Sequence, residues 1–250
     1  MNTTVSTIYF SPTGNTKKTV EAMASAIRPE FQTFDITVCP PEQETAFTGR
    51  DFVIFGVPVY AGRVPTPAAE RLRHFRGDAT PCLAVVTYGN RHYDDALLEL
   101  AQLLKSQGFL LKGGAALLAR HTYGRIQTER PDRADLEADR TFARRALEKP
   151  EGAPEPSIPG NIPYRDGTLH TVFRPLTSSA CTRCGLCVRN CPVQAIGEDC
   201  VTVTDACLSC FRCIRQCPAG AKNMDTPEYQ EFAEMFTEKL KERRENEYFL

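Results

Sequence analysis

Residues 4–27 read TVSTIYFSPTGNTKKTVEAMASAI, and this stretch indicates the fold of the N-terminal part of the chain. Thr4 to Phe10 is an apolar run typical of a buried strand. Thr16 to Ile27 repeats its apolar residues at helical spacing, so a helix follows the strand after one short loop. A strand that leads directly into a helix is the beginning of a unit that builds parallel sheets.

The same alternation of strands and helices continues to residue 149. Further strands are predicted at 31–39, 51–59, 81–88 and 111–119, and further helices at 67–75, 93–107 and 132–149. Continuous apolar strands in this arrangement predict an α/β fold, in which helices cover both faces of a parallel sheet. Five such strands suit the order 2-1-3-4-5, in which a ligand binds at the carboxyl ends of the strands where the order reverses.

Three loops at that edge carry residues suited to binding a phosphate and a planar ring. The first loop opens a helix, whose N–H groups favour an anion. The loops after the third and fourth strands hold glycines for close backbone approach and tyrosines able to stack on a ring. The predicted binding residues are Ser11, Pro12, Thr13, Gly14, Asn15 and Thr16, then Pro58, Val59, Tyr60, Ala61, Gly62 and Arg63, and finally Thr87, Tyr88, Gly89, Asn90, Arg91, Tyr93 and Asp94.

Other interpretations of these loops are weaker or stay open. The first loop alone would also suit an ordinary serine or threonine helix cap. A nucleoside triphosphatase is not supported, since no lysine occupies the Walker position. His121, Thr122 and Tyr123 follow the fifth strand at the same edge, either lining the site or serving as caps and turns. We assign no catalytic residue, because a histidine here has no defined substrate to act on.

The C-terminal part repeats one cysteine pattern, C-x2-C-x2-C-x3-C-P, and each cysteine recurs 26 residues later. Three thiolates at this spacing bind one [4Fe-4S] cluster, and the fourth ligates the neighbouring cluster. Zinc sites space their cysteine pairs differently, and nothing at the start of the sequence directs the chain to an oxidising compartment where disulfides form. The predicted ligands are Cys181, Cys184, Cys187 and Cys217 for cluster 1, and Cys207, Cys210, Cys213 and Cys191 for cluster 2.

Three cysteines fall outside the repeated pattern. Cys39, Cys82 and Cys200 are each expected to be small buried side chains, as free cysteines commonly are. Residues 196–204 alternate after a glycine and predict a short hairpin packed on the clusters. Cys200 lies in that hairpin, so it is placed to contact a cluster without ligating it.

Composition divides the chain into four segments. These are residues 1–149, a proline-rich linker or strap at 150–175, the cysteine-rich domain at 176–225, and a C-terminal helix at 226–250 with a charged, solvated end at Glu238 to Glu247. The net charge of −1 indicates no attraction to nucleic acid or anionic lipid. No run is long and apolar enough for a membrane helix, so a cytoplasmic, reducing location is expected.

The motif Ser11-x-Thr13-Gly14-Asn15-Thr16 resembles the phosphate-binding fingerprint of flavodoxins. The whole chain resembles the flavodoxin-ferredoxin fusion proteins, in which a flavodoxin-like domain precedes a small α+β ferredoxin domain with two clusters. The resemblance implies that FMN binds with its phosphate on the first loop and its ring between Pro58 to Arg63 and Tyr88 to Tyr93. The chain has no tryptophan, and Arg63 and Arg91 would stand near the ring, where positive charge predicts a raised flavin potential.

The expected function is electron transfer between two [4Fe-4S] clusters and FMN within one chain. The alternative is an FMN-dependent oxidoreductase that reduces a small molecule with electrons fed through the clusters. The expected partner is a redox protein or a small-molecule substrate, without nucleic acid or membrane, and a homo-oligomer stays open. A scaffold without redox function is disfavoured because all eight ligands and the full first loop are present. Exposed low-potential clusters would also suit an anaerobic setting.

Overall fold

The computed structural model describes residues 3–168 and 173–250; residues 1–2 and 169–172, the latter within the predicted linker, lie outside the described residues. The elements are, in chain order, β1 (Thr4–Tyr9), α1 (Asn15–Ile27), β2 (Gln32–Asp35), β3 (Thr45–Phe47), β4 (Asp51–Pro58), α2 (Thr66–Leu72), β5 (Phe75–Gly77), β6 (Thr80–Tyr88), α3 (Ala96–Ser106), β7 (Phe109–Leu118), α4 (Arg133–Leu147), β8 (Leu176–Thr177), α5 (Leu186–Arg189), α6 (Arg212–Gln216), β9 (Lys222–Asn223), α7 (Pro227–Lys239) and β10 (Glu247–Phe249).

The main sheet is mixed and mostly parallel. Its strands lie in the order β10-β7-β6-β4-β1-β2. The five strands from β2 to β7 pair in parallel, and their order is 2-1-3-4-5 when they are numbered among themselves. The sixth strand, β10, pairs antiparallel with β7, with Tyr248 opposite Ala115. The sequence predicts five parallel strands, and the structure adds a sixth, antiparallel strand at the edge beside β7.

Helices pack on both faces of this sheet and form two cores. Helices α1 and α4 cover one face, where Met23 and Phe142 are buried. Helices α2 and α3 cover the other face, where Leu72 and Leu97 are buried. Gly56 lets α1 approach β4, because a Cβ at this position would lie 2.6 Å from Val20. This close packing positions the N-terminus of α1 against the carboxyl ends of the central strands.

Short elements differ from the predicted boundaries. The predicted strand at 31–39 ends at Asp35. Helix α2 ends at Leu72, whereas the prediction continued it to Phe75. Phe75 instead begins β5, which pairs in parallel with β3 in a separate two-stranded sheet. Strands of three residues are too short to show a period in the sequence, which is why both were missed.

The sequence predicts a helix over residues 226–250, but only the first part of this segment is helical. Thr226 caps α7, since its hydroxyl accepts a hydrogen bond from the N–H of Tyr229 at 3.2 Å, and Pro227 occupies the first helical position. The helix ends at Lys239, and the chain then crosses to the sheet edge as β10. The predicted helix is therefore wrong beyond Lys239, whereas residues 241–245 are exposed to solvent as predicted.

The described part of the 150–175 segment lies along α3. The Asp95 carboxylate accepts hydrogen bonds from the backbone N–H groups of Asn161 and Arg165, at 2.8 and 2.7 Å. Ile158 packs so closely on Gly114 that a Cβ there would lie 2.5 Å from it. This stretch is thus held against the main sheet by specific contacts.

Within residues 3–168 and 173–250, every helix falls short of the length and apolar character that a membrane crossing requires.

Candidate functional site

The first loop shapes the start of α1 for an anion. Gly14 adopts a left-handed conformation, with φ 87°, immediately before the helix. The Ser11 hydroxyl accepts a hydrogen bond from the N–H of Lys17 at 3.0 Å. The N–H groups of Asn15 and Thr16 have no hydrogen-bond partner among the described residues. Free donors at a helix N-terminus fit a phosphate group.

An open cavity lies beside this helix start, at the carboxyl edge of the sheet. Four loops and one segment from the cysteine-rich part surround it. The lining residues are Pro12, Thr13, Asn15, Thr16, Pro58, Val59, Tyr60, Ala61, Thr87, Tyr88, Gly89, Ala119, Arg120, His121, Thr122, Tyr123, Leu208 and Ser209.

Polar contacts fix the loops around the cavity. The hydroxyl groups of Thr16 and Thr87 lie 2.6 Å apart and are both buried, so one donates to the other. The side-chain amide of Asn15 donates to the carbonyl oxygen of Arg120 at 3.3 Å. The loops after β1, β6 and β7 are therefore tied together at the place where the resemblance implies the phosphate.

His121 forms part of the cavity wall as a neutral ring. Burial lowers its pKa to about 4, and its Nδ1 accepts a hydrogen bond from the N–H of Tyr123 at 2.8 Å. Gly89 makes room for the ring, because a Cβ at Gly89 would lie 2.2 Å from Cδ2 of His121. His121, Thr122 and Tyr123, which the sequence left open between lining and capping, all line the cavity.

Several predicted ring-binding residues have other partners. Arg63 forms a two-pronged ion pair with Glu99, at 2.7 and 2.9 Å. Arg91 pairs with Asp94, which also pairs with Arg165 at 2.7 Å. Neither arginine is among the described residues that line the cavity. Because a carboxylate pairs with each guanidinium, we no longer expect these two arginines to raise the flavin potential.

Three further residues of the predicted second and third loops, Gly62, Asn90 and Tyr93, have structural contacts outside the cavity lining. Gly62 has φ 81°, and a Cβ there would lie 2.2 Å from the Asp94 carboxylate. Tyr93 is buried and donates its hydroxyl to Glu247 at 2.8 Å. Asn90 is buried too, and its side-chain amide donates to the carbonyl oxygens of Leu240 and Glu242 at 2.8 and 2.6 Å. Tyr93 and Asn90 hold the C-terminal tail in place of a ring.

The eight repeated cysteines surround two small pockets in the sets that the spacing predicts. One pocket is lined by Cys181, Cys184, Cys187 and Cys217, together with Cys200 and Lys222. The other is lined by Cys191, Cys207, Cys210 and Cys213, together with Ile196 and Leu208. Four thiols around each pocket are the donor set of a [4Fe-4S] cluster. Among the described residues, no group of three or more His, Cys, Asp or Glu side chains is arranged to bind a single metal ion.

Backbone donors support the cysteines that cross between the two sets. The N–H of Ala195 donates to Sγ of Cys191, and the N–H of Ala221 donates to Sγ of Cys217, both at 3.2 Å. Burial disfavours the Cys217 thiolate, but backbone N–H groups outweigh this and lower the pKa of its thiol. Such donors suit sulfur atoms that carry negative charge.

The remaining cysteines have different environments. Cys200 is buried and lines the cluster 1 pocket without belonging to the predicted ligand set. Cys82 is buried in the core of the main sheet, and burial raises the pKa of its thiol. Cys39 is exposed, so the prediction that it is buried is wrong. It follows a strand that ends four residues earlier than predicted.

The cavity and the cluster 2 pocket share a wall. Leu208 and Ser209 line both of them. Tyr60 lies on the cavity side, where burial raises the pKa of its phenol well above the ordinary value and the charges of Cys210 and Cys207 raise it further. Burial also raises the pKa of Tyr123 to about 12. No local sequence pattern indicates this wall, because Leu208 and Ser209 come from a distant part of the chain.

Further contacts join the two parts of the protein. Arg212, on α6, donates to the carbonyl oxygen of Pro12 at 3.0 Å. Arg71, on α2, donates to the carbonyl oxygen of Pro192 at 2.6 Å. Aromatic rings of both parts meet in one group with centroids 5.1–6.2 Å apart, formed by Tyr123, Phe173, Phe211, Tyr229 and Phe232.

Comparison with known families agrees with this division. Residues 7–77 match the flavodoxin domain family, and residues 176–197 match the 4Fe-4S binding domain family. No curated protein matches the chain. The chain is therefore similar to flavodoxin domains over residues 7–77 and to 4Fe-4S binding domains over residues 176–197.

Several solved structures resemble the N-terminal part. A flavodoxin from the domain Archaea is 18% identical, covering 58% of this chain and 96% of its own, with a TM-score of 0.42. Oxidised flavodoxin 2 from Bacillus cereus is 14% identical over 58% of this chain and 98% of its own, with a TM-score of 0.44. The apo form of an NADH:FMN oxidoreductase is 12% identical over 61% of this chain and 92% of its own, with a TM-score of 0.44. These likenesses are too distant to add to the sheet described above.

Proposed function

We propose that this protein transfers electrons between two [4Fe-4S] clusters and FMN within one chain. The observation that carries the proposal is the shared wall: Leu208 and Ser209 border both the cavity at the sheet edge and the cluster 2 pocket. A flavin in that cavity and a cluster in that pocket would be neighbours. Cluster 2 would then stand next to FMN, and cluster 1 would be the more distant of the two.

The residues of the cavity fit FMN. The free N–H groups of Asn15 and Thr16 would hold its phosphate at the start of α1. The cavity offers Tyr60, Tyr88 and Tyr123 as aromatic walls for a ring. When bound, FMN supplies a centre that accepts one or two electrons, whereas each cluster exchanges one.

The crossed cysteines hold the two cluster sites in a fixed relation. Cys217 lines the first pocket although it follows the cysteines of the second repeat, and Cys191 lines the second pocket although it follows those of the first. The short helices α5 and α6, which carry the two sets of cysteines, would thereby be connected through both cluster sites. Keeping all three sites on one chain raises their effective concentration for one another.

A redox partner protein would meet this molecule at cluster 1. Cys184 is exposed, whereas Cys210 of the second site is buried. An external one-electron donor or acceptor therefore has access to the first site. We propose that electrons enter or leave the chain there.

Anaerobic analysis of the purified and reconstituted full chain tests the proposal. Two clusters and one flavin predict about eight irons and one FMN per chain. Visible spectra recorded during reductive titration should show bleaching of both the clusters and the flavin. Zinc in place of iron, four irons at full occupancy, or no flavin binding would contradict it.

The second candidate, an FMN-dependent oxidoreductase, is favoured by a neighbouring open pocket of about 590 Å³. Tyr60 and Leu208 line both this pocket and the flavin cavity, and Ala69 lines the pocket from α2. Ala69→Trp would fill the pocket without touching the cavity. Reduction of a small quinone that is lost in this variant, with flavin binding retained, would favour the enzyme; unchanged reduction would favour the carrier.

A further inference from the structure

The two cysteine repeats build equivalent structures, and at one buried position they differ in charge. Position 196 in the first repeat corresponds to position 222 in the second, since the offset is 26 residues. Each follows an alanine whose N–H donates at 3.2 Å to the crossing cysteine of its own repeat. The first repeat has Ile196 there, and the second has Lys222, exposed by only 6% and 3%. One repeat thus buries an apolar chain where the other buries a cation.

The ammonium of Lys222 has no hydrogen-bond partner among the described residues. Its Nζ is buried and donates to none of them. It lines the cluster 1 pocket beside the cysteine ligands, whereas Ile196 lines the cluster 2 pocket. Burying an unpaired cation is costly, so an anionic group is expected in contact with it. A [4Fe-4S] cluster with four thiolate ligands carries net negative charge and suits that position.

The charge of Lys222 is also expected to act on the second cluster. Lys222 belongs to the repeat that supplies Cys207, Cys210 and Cys213 to the second pocket, although it lines the first. A charge acts beyond direct contact, and its effect weakens as the distance grows. We therefore expect an effect on both sites that is larger at the first.

We propose that Lys222 is the resident counter-charge of the cluster pair and raises their reduction potentials. Reduction of a cluster adds one electron and one negative charge, taken from a one-electron donor such as a reduced viologen dye. A fixed cation nearby stabilises that added charge, because the pocket is shielded from water. Lys222 acts on the clusters only through its electric field, and it exchanges neither a proton nor an electron with them. The inference rests on the proposed function, since both clusters must assemble.

Lys222→Met removes the charge and keeps a long buried side chain. Ile196→Met is its matched control, because it places the same side chain at the equivalent position of the other repeat and removes no charge. Lys222→Arg keeps the charge, and Lys222→Gln provides a second neutral variant. The readouts are iron per chain and the cluster potentials from an anaerobic titration followed by electron paramagnetic resonance.

We expect Lys222→Met to lower the reduction potential of cluster 1 by at least 59 mV, which corresponds to a tenfold shift of its one-electron equilibrium. Cluster 2 should move in the same direction, Lys222→Arg should restore the wild-type values, and Ile196→Met should leave them unchanged. The inference about Lys222 is overturned if Lys222→Met keeps its full iron content and its potentials are unchanged. If Lys222→Met loses iron, the same result in Lys222→Gln overturns it. Either result leaves the proposed function standing. A wild-type chain that holds four irons or fewer overturns the proposed function instead.

Discussion

The guanidinium of Arg212 donates a hydrogen bond to the carbonyl oxygen of Pro12, 200 residues away in the chain, at 3.0 Å. Arg212 belongs to α6 of the cluster domain, and Pro12 belongs to the loop at the start of α1. The contact fixes the phosphate loop from the cluster side. A hydrogen bond from a charged donor contributes about 1.5–3 kcal/mol when it is well formed.

Arg212→Ala should therefore weaken FMN binding by about tenfold, since 1.4 kcal/mol corresponds to that factor. Titration of the flavin-free chain with FMN, followed by flavin fluorescence, measures the effect. Arg189→Ala is the control, because Arg189 is an exposed arginine on the corresponding helix of the first repeat. Equal affinities in the two variants would show that the contact does not support the loop.

Gly89→Ala should disturb the cavity. The added Cβ would lie 2.2 Å from the ring of His121 and 2.7 Å from its Cα, so both the ring and the backbone that carries it must shift. We expect FMN binding to weaken by at least tenfold, which corresponds to about 1.4 kcal/mol. Spectroscopic titration with FMN measures this change.

Two further variants separate the steric effect from a general one. Gly49→Ala adds the same methyl group, but its Cβ would meet nothing closer than 3.9 Å, so binding should stay unchanged. His121→Ala in the Gly89→Ala background should recover part of the affinity, because the nearest ring atoms are removed. No recovery would mean that the backbone, rather than the imidazole, limits the space.

Much of the fold was predictable because its signals are local. The long apolar strands and the helical spacing before Ile27 predicted the central strands and α1 to within a few residues. The start of α4 at Asp132 was predicted too, and it has a capping box, in which Asp132 and Asp135 each bond the other's backbone N–H. The cysteine spacing predicted which four thiols would meet at each pocket.

The failures concern contacts between distant residues. Arg63 was placed near the ring by its loop, but Glu99, 36 residues further on, binds its guanidinium. Nothing near Tyr248 indicates a strand partner in β7. Leu208 lies beside the cavity only because the two domains pack together. Pairing between distant segments depends on the assembled fold, and a single sequence shows no local pattern for it.

Asn90 should prove important for stability rather than for flavin binding. It adopts φ 67°, which asparagine tolerates better than alanine, and it bonds the tail at Leu240, Glu242 and Arg244. Asn90→Ala should lower the free energy of unfolding by about 2–4 kcal/mol, from lost hydrogen bonds and backbone strain. Urea unfolding followed by circular dichroism measures it.

Asn90→Gly separates the two causes, because glycine keeps the backbone conformation and loses the hydrogen bonds. It should be more stable than Asn90→Ala by about 1 kcal/mol, the usual cost of a left-handed conformation. Limited proteolysis should cut the tail after Lys239 in both variants faster than in the wild type. An uncut tail would contradict the role assigned to Asn90.

Asp139 predicts a pH dependence of stability. It is fully buried and accepts a hydrogen bond from Tyr248 at 2.7 Å. Burial raises its pKa from 3.8 to about 7, so between these values the folded chain holds a proton that the unfolded chain has released. The free energy of unfolding therefore falls as the pH rises through this window, by as much as about 4 kcal/mol.

Asp139→Asn should remove most of that slope between pH 4 and 7 and stabilise the protein at the upper end. Urea unfolding at a series of pH values measures the slope. Glu137→Gln, an exposed change on the same helix, should leave it unchanged. A slope that persists in Asp139→Asn would assign the proton to another group.

The central claim, that cluster 2 is the neighbour of FMN, is tested most directly by removing one cluster at a time. Cys184→Ala disables the first site and Cys210→Ala the second, and iron analysis should fall from about eight to about four in each. Laser-flash reduction of the anaerobic protein then follows electron transfer between the remaining cluster and the flavin by absorbance. We predict that the fast internal phase persists in Cys184→Ala and is lost in Cys210→Ala; loss in Cys184→Ala with retention in Cys210→Ala would contradict the account.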